Sequence, residues 1–284
     1  MKRRRAKSIP LAFKAAALLI FVLFAVFELP GSSPPGLSLY AFDTGHGDAF
    51  LFRLPDGKNV LVDAGTGDFA AGLVTRLKSL GVRKIDIAVA THPHEDHIGG
   101  MPAVLETFPV ERFWDSGYNH GSPLQRKVLT ILRGKHVKFE RPQAGYREML
   151  GDVMAEVLAP VKQISKTSSD ANNNCLVLRI SYGNISFLMT GDMETEQRKS
   201  VKKFPRSTVL KIAHHGSVNG TDARLMREVS PDAVIFTYGK GNSYGHPHSA
   251  VVEIVRKSGT RSYATADGEI MMNTDGRKLT VKRP

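Results

Sequence analysis

The stretch Thr91–Gly100, reading Thr-His-Pro-His-Glu-Asp-His-Ile-Gly-Gly, constrains this chain more than any other. Three imidazoles and two carboxylates fall between His92 and His97, directly after the apolar run Ile85 to Ala90, which reads as a buried strand. Gly99 and Gly100 allow a sharp turn before the next helix. A loop at the end of a buried strand holds side chains firmly and leaves them open to ligand. In extended backbone His92 and His94 project to one side, while Asp96 and His97 face a second point close by. Imidazole and carboxylate are ligands for Zn²⁺, Mn²⁺ and Fe. A solvated polar loop would not gather these residue types at this spacing.

Three later clusters also follow apolar strands. Asp192, after Gly191, can bridge two cations about 3.5–4 Å apart, the separation used in two-metal hydrolysis; its other possible role is to cap the following helix. His214-His215 ends the strand from Thr208. Adjacent side chains in extended backbone point to opposite faces, so one of the two is expected to ligate. His246 and His248 lie in a Gly/Pro-bounded loop of the kind that places substrate groups. Two cations held by carboxylates and imidazoles, without thiolates, suit hydrolysis by an activated water rather than redox chemistry. Asp96 or a neighbouring histidine could orient that water, and His214 or His246 could donate to the developing charge.

Cys175 is the only cysteine in the chain, which excludes an internal disulfide and any Cys-x-x-Cys site. Its apolar neighbours mark it as a small buried hydrophobe. The net charge is +12. Six basic residues and Glu28 lie in the first 28 positions, leaving 33 basic against 26 acidic side chains, a net +7, for the rest. Such a body favours polyanionic partners. Residues 1–36 carry a basic patch, an apolar run Ala15 to Phe27 and a Pro/Gly/Ser-rich stretch. This is the layout of a signal peptide or membrane anchor, and it predicts a body outside the cytoplasm.

From residue 37 onward the chain reads as one domain, 37–284, with strand-then-helix patterning in two halves and no internal linker. Strands are expected at 37–42, 49–54, 59–63, 85–90, 110–114, 137–140, 153–158, 176–182, 185–190, 208–212, 233–237, 261–264, 269–273 and 278–282. Helices are expected at 70–80, 101–108, 122–133, 194–204, 222–229 and 249–257.

With these motifs set out, a resemblance is plain. His92-x-His94-x-Asp96-His97, Gly191-Asp192 and His215 resemble the metal-dependent hydrolases of the metallo-β-lactamase fold. Asp43-Thr-Gly-His-Gly-Asp-Ala49, Leu61-Val-Asp-Ala-Gly65, Asn172-Asn-Asn-Cys-Leu-Val-Leu178, Ala213-His-His-Gly-Ser217 and Asn242-Ser-Tyr-Gly-His-Pro247 are similar to the extracytoplasmic hydrolase domain of the ComEC competence family, here without its membrane channel segment. The resemblance implies an α/β fold, an αβ/βα four-layer sandwich of two mixed β-sheets with outer helices. It implies two divalent ions, zinc or manganese, with His92 and His94 at the first, Asp96, His97 and His215 at the second and Asp192 bridging. His214 is then a substrate or supporting contact, though it and His215 could exchange. Where the wider fold has a further histidine for the first metal, this chain has Asn172-Asn173-Asn174, and an amide is a poor zinc ligand. Asn173, Ser217, Tyr244 and His248 are the expected substrate-facing residues.

The function implied is an exported phosphodiesterase, with DNA the first substrate, working beside a DNA-uptake channel protein and at the membrane if the N-terminal segment is uncleaved. Phosphorylcholine esterases of the cell wall resemble the same branch, although Trp114 is the only tryptophan and choline-binding repeats are absent. Lactonases, β-lactamases and a non-catalytic DNA-binding companion are the other readings.

Overall fold

The computed structural model describes residues 36–282, so the N-terminal segment lies outside the described residues. Among those described, no helix is long and apolar enough to cross a membrane.

Two mixed sheets are formed. The first holds eight strands in the order β15-β14-β1-β2-β3-β4-β5-β6. These are β1 Leu37–Ala41, β2 Phe50–Arg53, β3 Asn59–Val62, β4 Ile85–Ala90, β5 Val110–Asp115, β6 Lys138–Glu140, β14 Ile270–Thr274 and β15 Leu279–Lys282. The second has seven, β13-β12-β11-β10-β9-β8-β7, comprising β7 Arg147–Leu150, β8 Val153–Ala159, β9 Val177–Tyr182, β10 Ile185–Met189, β11 Val209–Lys211, β12 Ala233–Phe236 and β13 Arg261–Ala264. Helices α1 Ala70–Ser79, α2 Glu95–Ile98, α3 Met101–Thr107 and α4 Pro123–Gly134 fall in the first half. Helices α5 Thr195–Ser200, α6 Ala223–Val229 and α7 Ser249–Ser258 fall in the second.

The layers follow from which face each residue presents. β4 is buried along its whole length. Ile87 and Val89 join Phe52, Trp114, Val157, Leu178 and Phe187 in the core between the sheets. Ile85, Ala88 and Ala90 pack outward on Leu73, Leu77, Val104, Val128 and Leu132 of α1, α3 and α4. A strand covered on both faces reads as a continuous apolar run rather than an alternating one. The outer face of the second sheet is covered likewise by Leu225 and Met226 of α6 and Val251 and Val255 of α7. The result is the four-layer α/β sandwich.

Most elements stand within a residue or two of their expected bounds. Two departures stand out. β7 is not legible in the sequence, since Arg-Glu-Met-Leu has no alternating apolar face; it forms because it pairs antiparallel with β8. Helix α5 ends at Ser200, well short of Phe204, and its N-cap is Glu194, not Asp192. The last strands return to the first sheet, where β14 pairs with β1.

Candidate metal centre

The centre forms where the parallel strands β3 and β4 of one sheet and β10, β11 and β12 of the other deliver their C-terminal loops. His92 leaves β4 directly. The chain stays extended through His94, then closes into the single turn α2, so the loop is not extended throughout. The imidazoles of His92 and His94 still converge, with Nε2 of the first 3.0 Å from Nδ1 of the second. The turn carries Asp96 and His97 to the next point. It is clamped from below: Ala64 N–H donates to the carbonyl of His97 and Asp48 N–H to that of Asp96. A Cβ at Gly47 would lie 2.2 Å from the Asp96 carbonyl oxygen, so only glycine permits this approach.

Asp192 enters from the second sheet after Gly191, whose φ of +50° places it in the left-handed region. Its two oxygens face different partners. Oδ1 lies 3.2 Å from His97 Nε2 and 3.4 Å from His215 Nε2. Oδ2 lies 3.9 Å from His92 Nε2 and 3.7 Å from His214 Nε2. Asp96 Oδ2 completes the first group at 3.2 Å from His215 Nε2 and 3.7 Å from His97 Nε2. Ligand atoms of Asp96, His97, Asp192 and His215 all lie within 4.8 Å of one another. The expectation that His214 and His215 lie in extended backbone does not hold: both have positive φ, 50° and 53°. This left-handed pair lets both rings face Asp192, one on each oxygen.

Three of the imidazoles, those of His97, His215 and His214, are approached from behind. His97 Nδ1 is 2.8 Å from Asp63 Oδ2. Asp63 in turn accepts from the Thr91 backbone N–H and hydroxyl at 2.8 and 2.7 Å. His215 Nδ1 meets the carbonyl of Thr237 at 2.7 Å. Glu194 Oε1 stands 3.2 Å from His214 Nδ1. Carboxylates and carbonyls in this position fix the tautomer and aim the other nitrogen. The Nε2 atoms of His97 and His215 are accordingly buried without a hydrogen-bond partner.

The three asparagines are fully inside the wall. Asn172 and Asn173 donate to Glu194 at 3.1 Å each, and the Asn173 carbonyl oxygen accepts from Gln197 N–H. Asn174 donates to the carbonyls of Ile164 and Asp170. The amides of Asn172 and Asn173 brace the carboxylate that backs His214, and that of Asn174 ties the loop before them.

Electrostatics set the charge states. Burial works against protonation of His97, but Asp192, Asp96, Asp63 and Asp48 outweigh it and raise its pKa well above the ordinary histidine value. Burial likewise opposes charge on His215, yet Asp192 and Asp96 lift it to about 9. Burial would raise Asp192; His215, His97, His214 and Lys211 instead hold it well below the usual carboxylate range. The cluster therefore stabilises positive charge at its centre. Two carboxylates and two imidazoles converging there fit a divalent cation, which takes the place of the protons. His92 and His94 are pushed down, first by burial and then by His97, so both are neutral and free to coordinate.

The cluster floors a cleft of about 730 Å³ whose lining includes His94, Asp96, Asp192, His214, His215 and His246. Of the expected substrate-facing residues, Tyr244 lines it. Asn173 does not, since it is fully buried behind Asn172 and Glu194. Ser217 is buried beside the His214–His215 turn, its N–H bound to the His214 carbonyl. His248 is the N-cap residue of α7, and its Nδ1 accepts from Val218 N–H. Cys175 is buried, with Sγ donating to Gln197 Oε1 at 3.1 Å, and burial pushes its thiol well above the ordinary range.

Sequence reasoning assigned no role to Asp48, Asp63, His46, His120, Glu194 or Lys211. Lys211 is fully buried, its Nζ 2.7 Å from Asp48 Oδ2 and 3.4 Å from Asp192 Oδ1. The signal was present: a lysine inside the apolar run Val-Leu-Lys-Ile-Ala is buried only with a partner. His46 and His120 line the cleft. Both sit in loops, where sequence spacing gives no direction.

Comparison with known proteins agrees with this architecture. The chain is 29% identical over 264 residues to ComE operon protein 3 of Bacillus subtilis, covering 86% of this chain and 34% of that protein. It is 28% identical over 260 residues to Competence protein ComA of Neisseria gonorrhoeae, covering 90% of this chain and 35% of that protein. It thus spans about a third of the length of these relatives. Among solved structures, the metallo-β-lactamase-fold protein YhfI of Bacillus subtilis superposes with a TM-score of 0.51 at 14% identity, over 82% of this chain and 96% of that one. The family model described as the metallo-β-lactamase superfamily matches residues 42–240, the span that carries every ligand of the cluster. With that match over most of its length, and the sandwich and its paired histidine–aspartate groups in place, the chain belongs to the metallo-β-lactamase superfamily.

Proposed function

We propose that the protein is a metal-dependent phosphodiesterase acting on nucleic acid, with DNA as its first substrate. The observation that carries this reading is the division of Asp192: one oxygen faces His97 and His215, the other His92 and His214. Asp96, His97, His215 and Asp192 would hold one divalent cation. His92, His94, His214 and the other oxygen of Asp192 would hold a second. When bound, such a pair supplies an acidified water as nucleophile and charge stabilisation for a phosphoryl centre.

The protein's own groups do the rest. Lys211 and Asp63 hold Asp192 and His97 in place, and Glu194 keeps His214 aimed. His46 and His246 line the cleft; each is pushed down to about 4, chiefly by burial and then by His215 and His214 respectively. Both are neutral at pH 7, so each can offer an N–H to a phosphoryl oxygen. Names of the relatives supply the link to competence, and the basic body suits a phosphate backbone read without sequence preference. Export by the N-terminal segment, and work beside a separate DNA-uptake channel protein, belong to the same proposal and rest on the sequence.

The test takes the full-length protein purified without chelator. Bound metal per chain is measured, then cleavage of single- and double-stranded DNA and of bis-p-nitrophenyl phosphate with Mn²⁺ or Zn²⁺. Bound metal together with DNA cleavage that is lost in Asp192→Ala is the expected result. Turnover of the small diester without DNA cleavage moves the substrate to a small or cell-wall phosphoester. Absence of both metal and turnover refutes the enzyme reading.

A further inference from the structure

Tyr244 is 66% exposed, more than any other large hydrophobic residue described, and it stands at the cleft rather than on an unrelated surface. Its ring is not loose. It stacks on His46 with centroids 4.9 Å apart and planes at 19°, and lies 5.8 Å and 20° from His246. His46 and His246 are themselves 5.6 Å apart at 29°. His46 lies against His215, a residue of the candidate centre, with centroids 4.5 Å apart. Three near-parallel rings therefore lead from the metal cluster to solvent, and the outermost is the most exposed.

The loop that presents Tyr244 is held in shape. The Asn242 side chain spans it, donating to the carbonyls of Gly239 and His246 and accepting from His246 N–H. Gly241 and Gly245 take positive φ, 70° and 69°, on either side of the tyrosine. Gly239 lies so close to the His46 loop that a Cβ would meet the Gly45 carbonyl carbon at 2.9 Å. A rigid, solvent-facing aromatic costs little entropy to engage, which is the property of a stacking platform. A ring so exposed among polar loop residues serves no core.

We infer that Tyr244 is a nucleobase platform, stacking a base of a single-stranded nucleic acid so that its phosphodiester reaches the metal cluster beyond His46. This deepens the phosphodiesterase reading and rests on it for the identity of the reacting group. It names the substrate class: strands whose bases are unpaired, since a base inside a duplex has no free face to offer.

The experiment compares the full-length wild type with Tyr244→Ala and Tyr244→Trp. The substrates are a single-stranded oligothymidylate, the same strand made abasic, and a duplex. The expected result is a KM for the oligothymidylate raised roughly tenfold in Tyr244→Ala, as for the loss of one base stack, with kcat held. Tyr244→Trp restores KM, the abasic strand is unaffected, and the wild type prefers single strand to duplex. An unchanged KM in Tyr244→Ala, or an equal change on the abasic strand, overturns the platform. Anisotropy of the labelled strand, measured in EDTA, separates the two claims. Base-dependent binding lost in Tyr244→Ala, without hydrolysis by any variant, leaves the platform standing and the phosphodiesterase reading fallen. Hydrolysis with binding indifferent to Tyr244 does the reverse.

Discussion

Individual side chains at the centre act through what stands behind them. Asp63 touches no cleft atom, yet it holds His97 Nδ1 and the Thr91 backbone together. Replacing it by asparagine keeps the shape but removes the negative charge that fixes the His97 tautomer. Loss of such an outer partner costs about 10–100-fold in metal affinity. Asp63→Asn is therefore expected to weaken zinc or manganese binding by that factor in a competition titration while the fold is retained; affinity equal to wild type would contradict the assignment. Lys211 is the other residue of this kind. Burial would discharge it, but Asp48 and Asp192 outweigh burial and raise its pKa, so it stays charged. It offsets part of the carboxylate charge that the centre concentrates.

Single elements show where the sandwich is tied at its edge. Arg112 of β5 reaches Glu140 of β6 at 2.8 Å and Glu148 of β7 at 2.6 Å, so one guanidinium joins the two sheets. Arg112 holds the Glu148 carboxyl below its ordinary value; at Glu140 burial opposes the shift, and Lys138 and Arg112 outweigh it. A carboxylate with a depressed folded pKa stabilises the fold above the ordinary glutamate pKa of about 4.3, and that contribution is lost as pH falls through the folded value. Arg112→Met should lower stability at pH 7 by about 2 kcal/mol, the worth of charged, partly buried hydrogen bonds. The difference from wild type should shrink below about pH 4, as read from urea midpoints at pH 7 and pH 3.5. A penalty that persists unchanged in acid would assign the effect to packing instead.

Across the whole molecule, the centre is the place where loops of both sheets meet. His92 to His97 come from the first sheet, Asp192, His214 and His215 from the second. A cation held between them binds only the folded state, so saturation at a thousandfold excess over Kd adds about 4 kcal/mol, on the order of 10 °C in Tm for a domain of this size. Adding EDTA should lower the wild-type Tm by that order and leave Asp192→Ala nearly unmoved. Equal shifts in both, or none in the wild type, would show that the metal does not join the sheets.

The sequence by itself determined the local half of this protein. The apolar run of β4, the His-x-His-x-Asp-His loop behind it and the later Gly-Asp and His-His ends carried the fold and the ligand candidates, because ligand chemistry and strand burial are written in adjacent residues. What lay beyond was decided by tertiary structure. β7 has no pattern of its own and exists through β8; β14 joins β1 because the first sheet's open edge receives it. The left-handed pair at His214 and His215 faces both oxygens of Asp192, where extended backbone would have turned one ring away. Asn172 and Asn173 brace Glu194, and Lys211 finds Asp48 in the loop between β1 and β2 of the first sheet. Each of these depends on which surfaces meet, and residue spacing does not record that, since burial and pairing partners are settled only when the two sheets close on one core.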